Sequence, residues 1–289
     1  MSLPPVSPTT ATLVAPSWAL SSCVRAYIIR STLGVPLQPH ERLNHYPFTP
    51  TCDITWSLQG ELDLLLAGNG DTTPKRLPRI GFTGPQTGPT VTSNPGPAHS
   101  LILLLLPDAL HAMSGVDVSA YVDRKVPLDE VFGADWCAMA EAVQEAPDDS
   151  ARIQLIEDFL LPRWQAAQRQ GMVPVHTFDD WARNLALRAV ISGMGRSMRQ
   201  MERRIRVWTG QSMRSLYSDA RAENALLLAL DEAKMNDGQI DWTRVADEAG
   251  FTDQSHFCRE VRRRTGYPPN ELKRRVQENE SFWIYRIWA

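Results

Sequence analysis

The sequence predicts an α+β chain: a β-rich barrel or sandwich with helices in the N-terminal half, then an all-helical part of two helix-turn-helix units joined by a long helix. Three observations predict it. The first hundred residues carry short β-prone runs punctuated by Gly, Pro and Thr, and end in the apolar run Leu101–Leu106, closed by Pro107. From Asp129 onward apolar residues recur every three or four positions, the period of a helix with one buried face. Near the C-terminus an eight-residue pattern occurs twice, at Arg203 and again at Arg259.

The elements follow in order. Residues 1–19 carry Pro4, Pro5, Pro8 and Pro16 and read as a flexible leader, without the charged start of a secretory signal. Cys23–Arg30 reads as a strand. Asp53–Leu66 alternates through Ile54, Trp56 and Leu58, turns at Gln59-Gly60 and becomes apolar again, which predicts a hairpin. Trp56 could line a pocket, although core packing is the commoner role. Ile80–Asn94 predicts turns and an exposed strand, and Ser100–Leu106 a buried one. Asp129–Ala146 and Asp148–Gln170 read as helices, the second started by Asp148, Asp149 or Ser150 and kinked or cut short by Pro162. Gly171–Pro174 breaks the chain. The expected division is 20–172 for an effector-binding or dimerisation domain, 177–277 for the helical domain and 278–289 for an aromatic tail.

Composition narrows the function classes. A length of 289 residues gives room for two cores, and 43% hydrophobic with 22% charged residues is ordinary for a globular protein. The net charge of -3 hides a segregation: nineteen basic against sixteen acidic residues from Asp179 on, and eleven against seventeen before it. Such asymmetry points to a polyanion as partner of the C-terminal part. Cys23, Cys52, Cys137 and Cys258 form no C-x-x-C pair, and His40, His45, His99 and His111 make no metal spacing, so no metal site is expected. The longest aliphatic run is far short of a membrane span, and a cytoplasmic protein without membrane contact is expected. Among motifs for catalysis, no nucleophile elbow, P-loop or H-E-x-x-H occurs, so neither an enzyme nor a cofactor is expected.

The repeat carries most of the functional argument. Arg203–Gly210 and Arg259–Gly266 both read Arg-x-Ile/Val-Arg-x-x-Thr-Gly. Upstream, Gly195 precedes Ser197, and Gly250 precedes Asp253, so a glycine ends one helix and a polar residue caps the next. Phe178–Ser192 and Asp241–Glu248 supply the preceding helices. Helix, tight turn, capped helix is the helix-turn-helix plan. On the first capped helix Met198, Met201 and Ile205 form the core face, leaving Arg199, Gln200, Arg203 and Arg206 outward. On the second, Phe257 and Val261 face the core, leaving Ser255, His256, Arg259, Arg262 and Arg263 outward. Arginine forks fit guanine edges and phosphates, and Gln, Ser and His hydrogen-bond bases or backbone. Double-stranded DNA is the expected partner. A further basic cluster, Lys273-Arg274-Arg275, fits phosphate clamping or ordinary surface.

Gly195–Ile205 resembles the first reading helix of the AraC/XylS family of transcription regulators, and Ala249–Val261 with Thr265-Gly266-Tyr267-Pro268-Pro269 resembles the family's second unit and signature. The resemblance covers residues 177–277. It implies two subdomains joined by a helix near Met213–Ala233 and reading helices in successive major-groove turns. Carried over by position, the base-facing residues are Arg199, Glu202 and Arg203, then Ser255, His256 and Arg259. Gly84-Pro85-Gln86-Thr87 before the strand Leu101–Leu106 is similar to the sensor-like domain of one AraC-type subgroup, which could bind a small-molecule effector or form a homodimer; the effector residues are unassigned.

Two alternatives stay open at this stage: a DNA-guided enzyme with a catalytic N-terminal half, which the scattered cysteines disfavour, and helix-turn-helix units that hold protein instead of DNA. The tail Ser281–Trp288 has six bulky apolar side chains in eight residues and predicts a strand or extended arm packed on another surface.

Overall fold

A computed structural model describes residues 9–168, 177–192, 197–236 and 239–287. The Gly195 turn, the Gly171–Pro174 break and Trp288 lie outside the described residues, as does the side chain of Met198.

Two antiparallel sheets form the N-terminal half. The larger has six strands: β1 Thr10–Val14, β2 Val24–Ser31, β4 Cys52–Gln59, β7 Ile80–Thr83, β9 His99–Leu105 and β10 Lys125–Pro127. Their order is β1-β2-β9-β4-β7-β10, so the apolar β9 is central. The smaller joins β3 Leu43–Tyr46, β8 Thr90–Ser93, β5 Asp63–Leu66 and β6 Lys75–Arg76, in that order.

Side-chain alternation gives the large sheet two different faces. Tyr27, Ile54, Trp56, Leu101, Leu103 and Leu105 point one way into the main apolar core. Helices α1 Pro107–Ser114, α2 Ala134–Glu145 and α3 Asp149–Gln168 cover that face. Trp56 is fully buried and donates through Nε1 to the Ala140 carbonyl at 2.9 Å, so it is core. On the other face Asp53, Thr55 and Ser57 of β4, Ser100 of β9 and Lys125 of β10 look toward the small sheet across a cavity.

Several expectations need correction. Asp53–Leu66 is not a hairpin, because β4 pairs with β7 and β9 while β5 pairs with β6 and β8 in the other sheet. The turn is real: Gly60 has φ +83, and a Cβ there would sit 2.5 Å from the Pro97 carbonyl oxygen. It carries the chain from one sheet to the other, since the apolar side of β4 can satisfy itself only against the helices. Ile80–Asn94 holds two strands, and they are not exposed: Phe82, Thr83, Thr90 and Thr92 are buried, the threonines at the inter-sheet cavity. Pro162 does not end its helix, which runs on to Gln168. Pro162 is exposed, so the hydrogen bond it lacks falls on the solvent side. The tail is neither strand nor extended arm. It forms a 3-10 turn, Glu280–Phe282, and the short α10 Trp283–Arg286. Its burial is as expected: Trp283 and Ile284 pack with Ile28 and Tyr46 of the sandwich, and Phe282 stacks on His45.

The C-terminal part is all-helical: α4 Phe178–Ser192, α5 Met198–Thr209, α6 Met213–Met235, α7 Trp242–Glu248, α8 Gln254–Thr265 and α9 Pro269–Glu278. Trp181, Ala182 and Leu185 of α4, Ile205 of α5 and Leu216 of α6 belong to the same apolar cluster as the large sheet. Trp181 Nε1 also donates to Asp108 Oδ1 of α1 at 2.7 Å. The second unit has a separate small core of Ala225, Ala229, Val245, Ala246, Ala249, Phe251 and Phe257. Among the described residues no helix is long and apolar enough to cross a membrane, and all four cysteines are free.

Candidate nucleic-acid interface and effector cavity

The sequence repeat is a pair of matched helices. Ser197 starts α5 with a capping box shared with Gln200, and Asp253 starts α8 by accepting from the His256 backbone N–H at 2.7 Å. The recurring Thr-Gly is their common stop. Thr209 and Thr265 each donate to the carbonyl four residues back, Ile205 at 2.7 Å and Val261 at 2.8 Å. Each hydroxyl also accepts the N–H two residues on, from Gln211 and Tyr267. Gly210 and Gly266 then take left-handed φ of 72° and 84°, with N–H bonds to Arg206 and Arg262. The most repeated letters are therefore helix terminators, and the surface chemistry lies between them.

On α5, Arg199, Gln200, Arg203 and Arg206 are exposed, while Met201 and Glu202 are half-buried and Ile205 is buried. On α8, Ser255, Arg259, Arg262 and Arg263 are exposed, His256 is half-buried with its ring edge-on to Phe251, and Phe257 is buried. Two of these arginines are engaged: Arg206 with Glu202 at 3.5 Å and Arg263 with Glu260 at 2.9 Å. Among the described residues Arg199, Arg203, Arg259 and Arg262 have no carboxylate in ion-pair range, so each presents an unneutralised guanidinium to solvent. In the basic cluster after Pro269, Arg274 and Arg275 are instead tied to Glu271 and Glu278.

Residues 191–275 match a family model described as a helix-turn-helix domain. This segment is a helix-turn-helix domain of the AraC type. No curated protein matches the chain. Among solved structures it is similar to ToxT of Vibrio cholerae. An apo form from strain SCE256 aligns at 10% identity over 86% of this chain and 96% of that one, with TM-score 0.40. The O395 protein aligns at 13% identity over 80% and 93%, with TM-score 0.38. The form bound to an unsaturated fatty acid aligns at 12% over 80% and 91%, with TM-score 0.36.

The AraC-type domain is not the whole candidate site. Between the two sheets lies a cavity of about 140 Å³, lined by Arg30, Asn44, Asp53, Thr55, Gln86 and Lys125 among others. Asp53 and Lys125 are surrounded by protein yet keep some free surface, because that surface faces the cavity. Burial raises the Asp53 carboxyl above its ordinary range and lowers the Lys125 ammonium below its own; each charge partly offsets the other's shift. Lys125 Nζ donates to Thr83 Oγ1 at 3.3 Å, and Thr55 Oγ1 donates to Asp53 Oδ1 at 2.9 Å. Two Arg30 nitrogens and Gln86 Oε1 are buried without hydrogen-bond partners among the described residues. A group of metal-ligating side chains does not occur among the described residues.

The C-terminal tail completes this cavity. Ile284 lines it, and Trp283 Nε1 donates to Asn44 Oδ1 at 2.8 Å. Arg30 pairs with Glu280 at 2.6 Å and stacks over the Trp283 ring at 4.8 Å. Sequence reasoning missed Arg30, Asp53, Lys125 and Ile284. A signal existed in β4, where Asp53, Thr55 and Ser57 alternate with Ile54 and Trp56, the pattern of a strand with one side in water. Here the polar side faces an internal cavity.

Proposed function

We propose that the chain is a sequence-specific transcription regulator that reads duplex DNA with α5 and α8 in successive major-groove turns. A small effector in the inter-sheet cavity would modulate it. The observation that supports the reading most directly is the matched pair of capped helices, carrying Arg199 and Arg203, and Arg259 and Arg262, exposed and without a carboxylate partner among the described residues. Arg199, Gln200, Glu202, Arg203 and Arg206, with Ser255, His256, Arg259, Arg262 and Arg263, are the residues assigned to DNA. Of these, Arg199, Arg203 and Arg259 are placed at base edges, where a good fork contact contributes about 1–3 kcal/mol of discrimination. No catalytic step, metal or cofactor is invoked, and the protein works in the cytoplasm where the chromosome lies. Residues 20–172 serve as the effector-binding or dimerisation domain, and 177–277 as DNA-binding domain.

The cavity supports the effector half of the reading. A site near 140 Å³ is comparable to a cavity that holds a benzene-sized molecule, and its mainly apolar walls carry hydroxyl and amide groups. It therefore suits a compact molecule that carries hydrogen-bonding groups on an apolar frame.

The test is selection of bound duplexes by the full chain, followed by affinity against salt. Affinity should fall steeply with salt, and Arg203→Ala and Arg259→Ala should each weaken binding roughly tenfold to hundredfold at separate base positions. Unchanged affinity in both variants would refute the DNA assignment. Raised melting temperatures with a panel of small polyols and hydroxy acids would support the cavity assignment, and a panel-wide absence of shift would count against it.

A further inference from the structure

The motif Gly84-Pro85-Gln86-Thr87-Gly88-Pro89 connects β7 of the large sheet to β8 of the small one. Its inner side belongs to the cavity: Thr83, Gln86, Thr90 and Thr92 all line it. Gln86 is 2% exposed, and its Oε1 has no partner while its Nε2 donates to the Gly84 carbonyl at 2.8 Å. A buried amide oxygen left unpaired is costly unless something outside the chain satisfies it.

The loop is held stiffly. A Cβ on Gly84 would lie 2.0 Å from the Tyr121 carbonyl oxygen, so only glycine fits. Asp123, at φ 57°, donates its N–H to the Pro85 carbonyl, and its carboxylate accepts both the N–H and the hydroxyl of Thr87. Gln86 N–H donates to the Thr49 carbonyl at 2.9 Å.

Its outer side lies beside the terminators of both reading helices. A Cβ on Gly210, which ends α5, would lie 2.6 Å from Val122 Cγ2 and 3.5 Å from Pro85 Cγ. At Gly266, which ends α8, it would lie 3.8 Å from Pro89 Cγ. One short rigid loop thus carries a buried unsatisfied acceptor on a residue that lines the cavity, and a proline beside the terminator of each reading helix.

We propose that Gln86 is an effector-contacting residue and that the Pro85–Pro89 loop relays cavity occupancy to the C-terminal ends of α5 and α8 together. The proposal rests on the effector reading of the cavity. It identifies a hydrogen-bond donor on the effector that meets Gln86 Oε1. A ligand filling the cavity displaces the loop, and the two helix ends shift jointly because the same loop lies beside both.

The relay can be tested without knowing the effector. In the full chain, Thr55→Phe on β4 places a ring in the cavity as a surrogate occupant, with the smaller Thr55→Leu as a second variant should the first not fold. The readout is hydrogen exchange at the Gly210 and Gly266 amides, which bond to Arg206 and Arg262 at 2.7 and 2.8 Å. Both rates should change by about fivefold or more in the same variant. Adding Pro85→Ala and Pro89→Ala should abolish the change. Rates that stay at the wild-type value, or a change at one glycine alone, would overturn the relay. Failure of the polyol and hydroxy-acid panel alone would instead remove the effector reading, since the surrogate experiment uses no ligand.

Discussion

The two helix-turn-helix units are near-copies in sequence and unlike in anchoring. The first is fused to the N-terminal half: Trp181, Leu185 and Ile205 continue its main apolar core. The second keeps its own small core and reaches the N-terminal half through polar and aromatic contacts. The equivalent repeat position shows the contrast best. Trp208 of α5 packs toward His111 of α1, whereas Arg264 of α8 is buried against Asp219 at 2.7 Å and over the Phe48 ring at 4.6 Å. Phe48 N–H also donates to the Arg264 carbonyl at 2.7 Å. Hydrophobic burial is insensitive to charge state, whereas the attachment of α8 at Asp219 changes with the charge that Asp219 carries. The second unit is therefore the one whose docking can be adjusted.

The largest effect expected from this contrast is at Arg264. Arg264→Ala should destabilise by about 3–5 kcal/mol, because Asp219 loses the only cation that faces it at ion-pair distance among the described residues. Burial already raises the Asp219 carboxyl to about 6 in spite of Arg264. Chemical denaturation of the full chain measures the loss. If the second unit opens alone, hydrogen exchange will accelerate in α7 and α8 and not in α4 and α5. Uniform acceleration would show the units to be equally anchored.

The two terminator glycines give a smaller and sharper comparison. Both have left-handed φ, so alanine costs about 1–2 kcal/mol at either. Only at Gly210 does the added methyl also meet Val122 at 2.6 Å; at Gly266 the nearest atom is 3.8 Å away. Gly210→Ala should therefore destabilise more than Gly266→Ala in thermal melts. Equal losses would show that Val122 gives way freely.

Helix positions, caps and the outward arginines were legible because each depends on neighbours within a few residues, as with Ser197, Asp253 and the two Thr-Gly stops. What remained hidden depends on distant pairing. The alternation in β4 is the same whether Asp53 faces water or a cavity, and only the small sheet packed opposite decides it. The hairpin expectation failed for the same reason, since a local turn at Gly60 does not specify which strand is the partner. Nothing local sets Arg264 apart from Arg262 and Arg263, and its burial follows from Asp219, forty-five residues away. The tail's apolar content announced burial, while its helical form is set by the pocket that Asn44, His45 and Arg30 provide.

The smallest effect concerns the tail, the other attachment of the second unit. His45 of β3 stacks on Phe282 at 4.4 Å, beside Tyr267, and burial lowers its pKa from 6.5 to about 4, with Arg275 adding to the shift. A depressed histidine contributes stability that is full above pH 6.5 and lost as pH falls through about 4. Asp219 acts in the opposite sense: its raised pKa favours the folded state as pH drops through about 6. Melting curves of wild type alone would mix the two. The difference between wild type and His45→Phe isolates the first, because Asp219 is common to both. The variant should gain on wild type as pH is lowered from about 6.5 to 4, through a group that does not charge. A difference that stays flat over that range would mean that the tail's grip on β3 does not require a neutral imidazole.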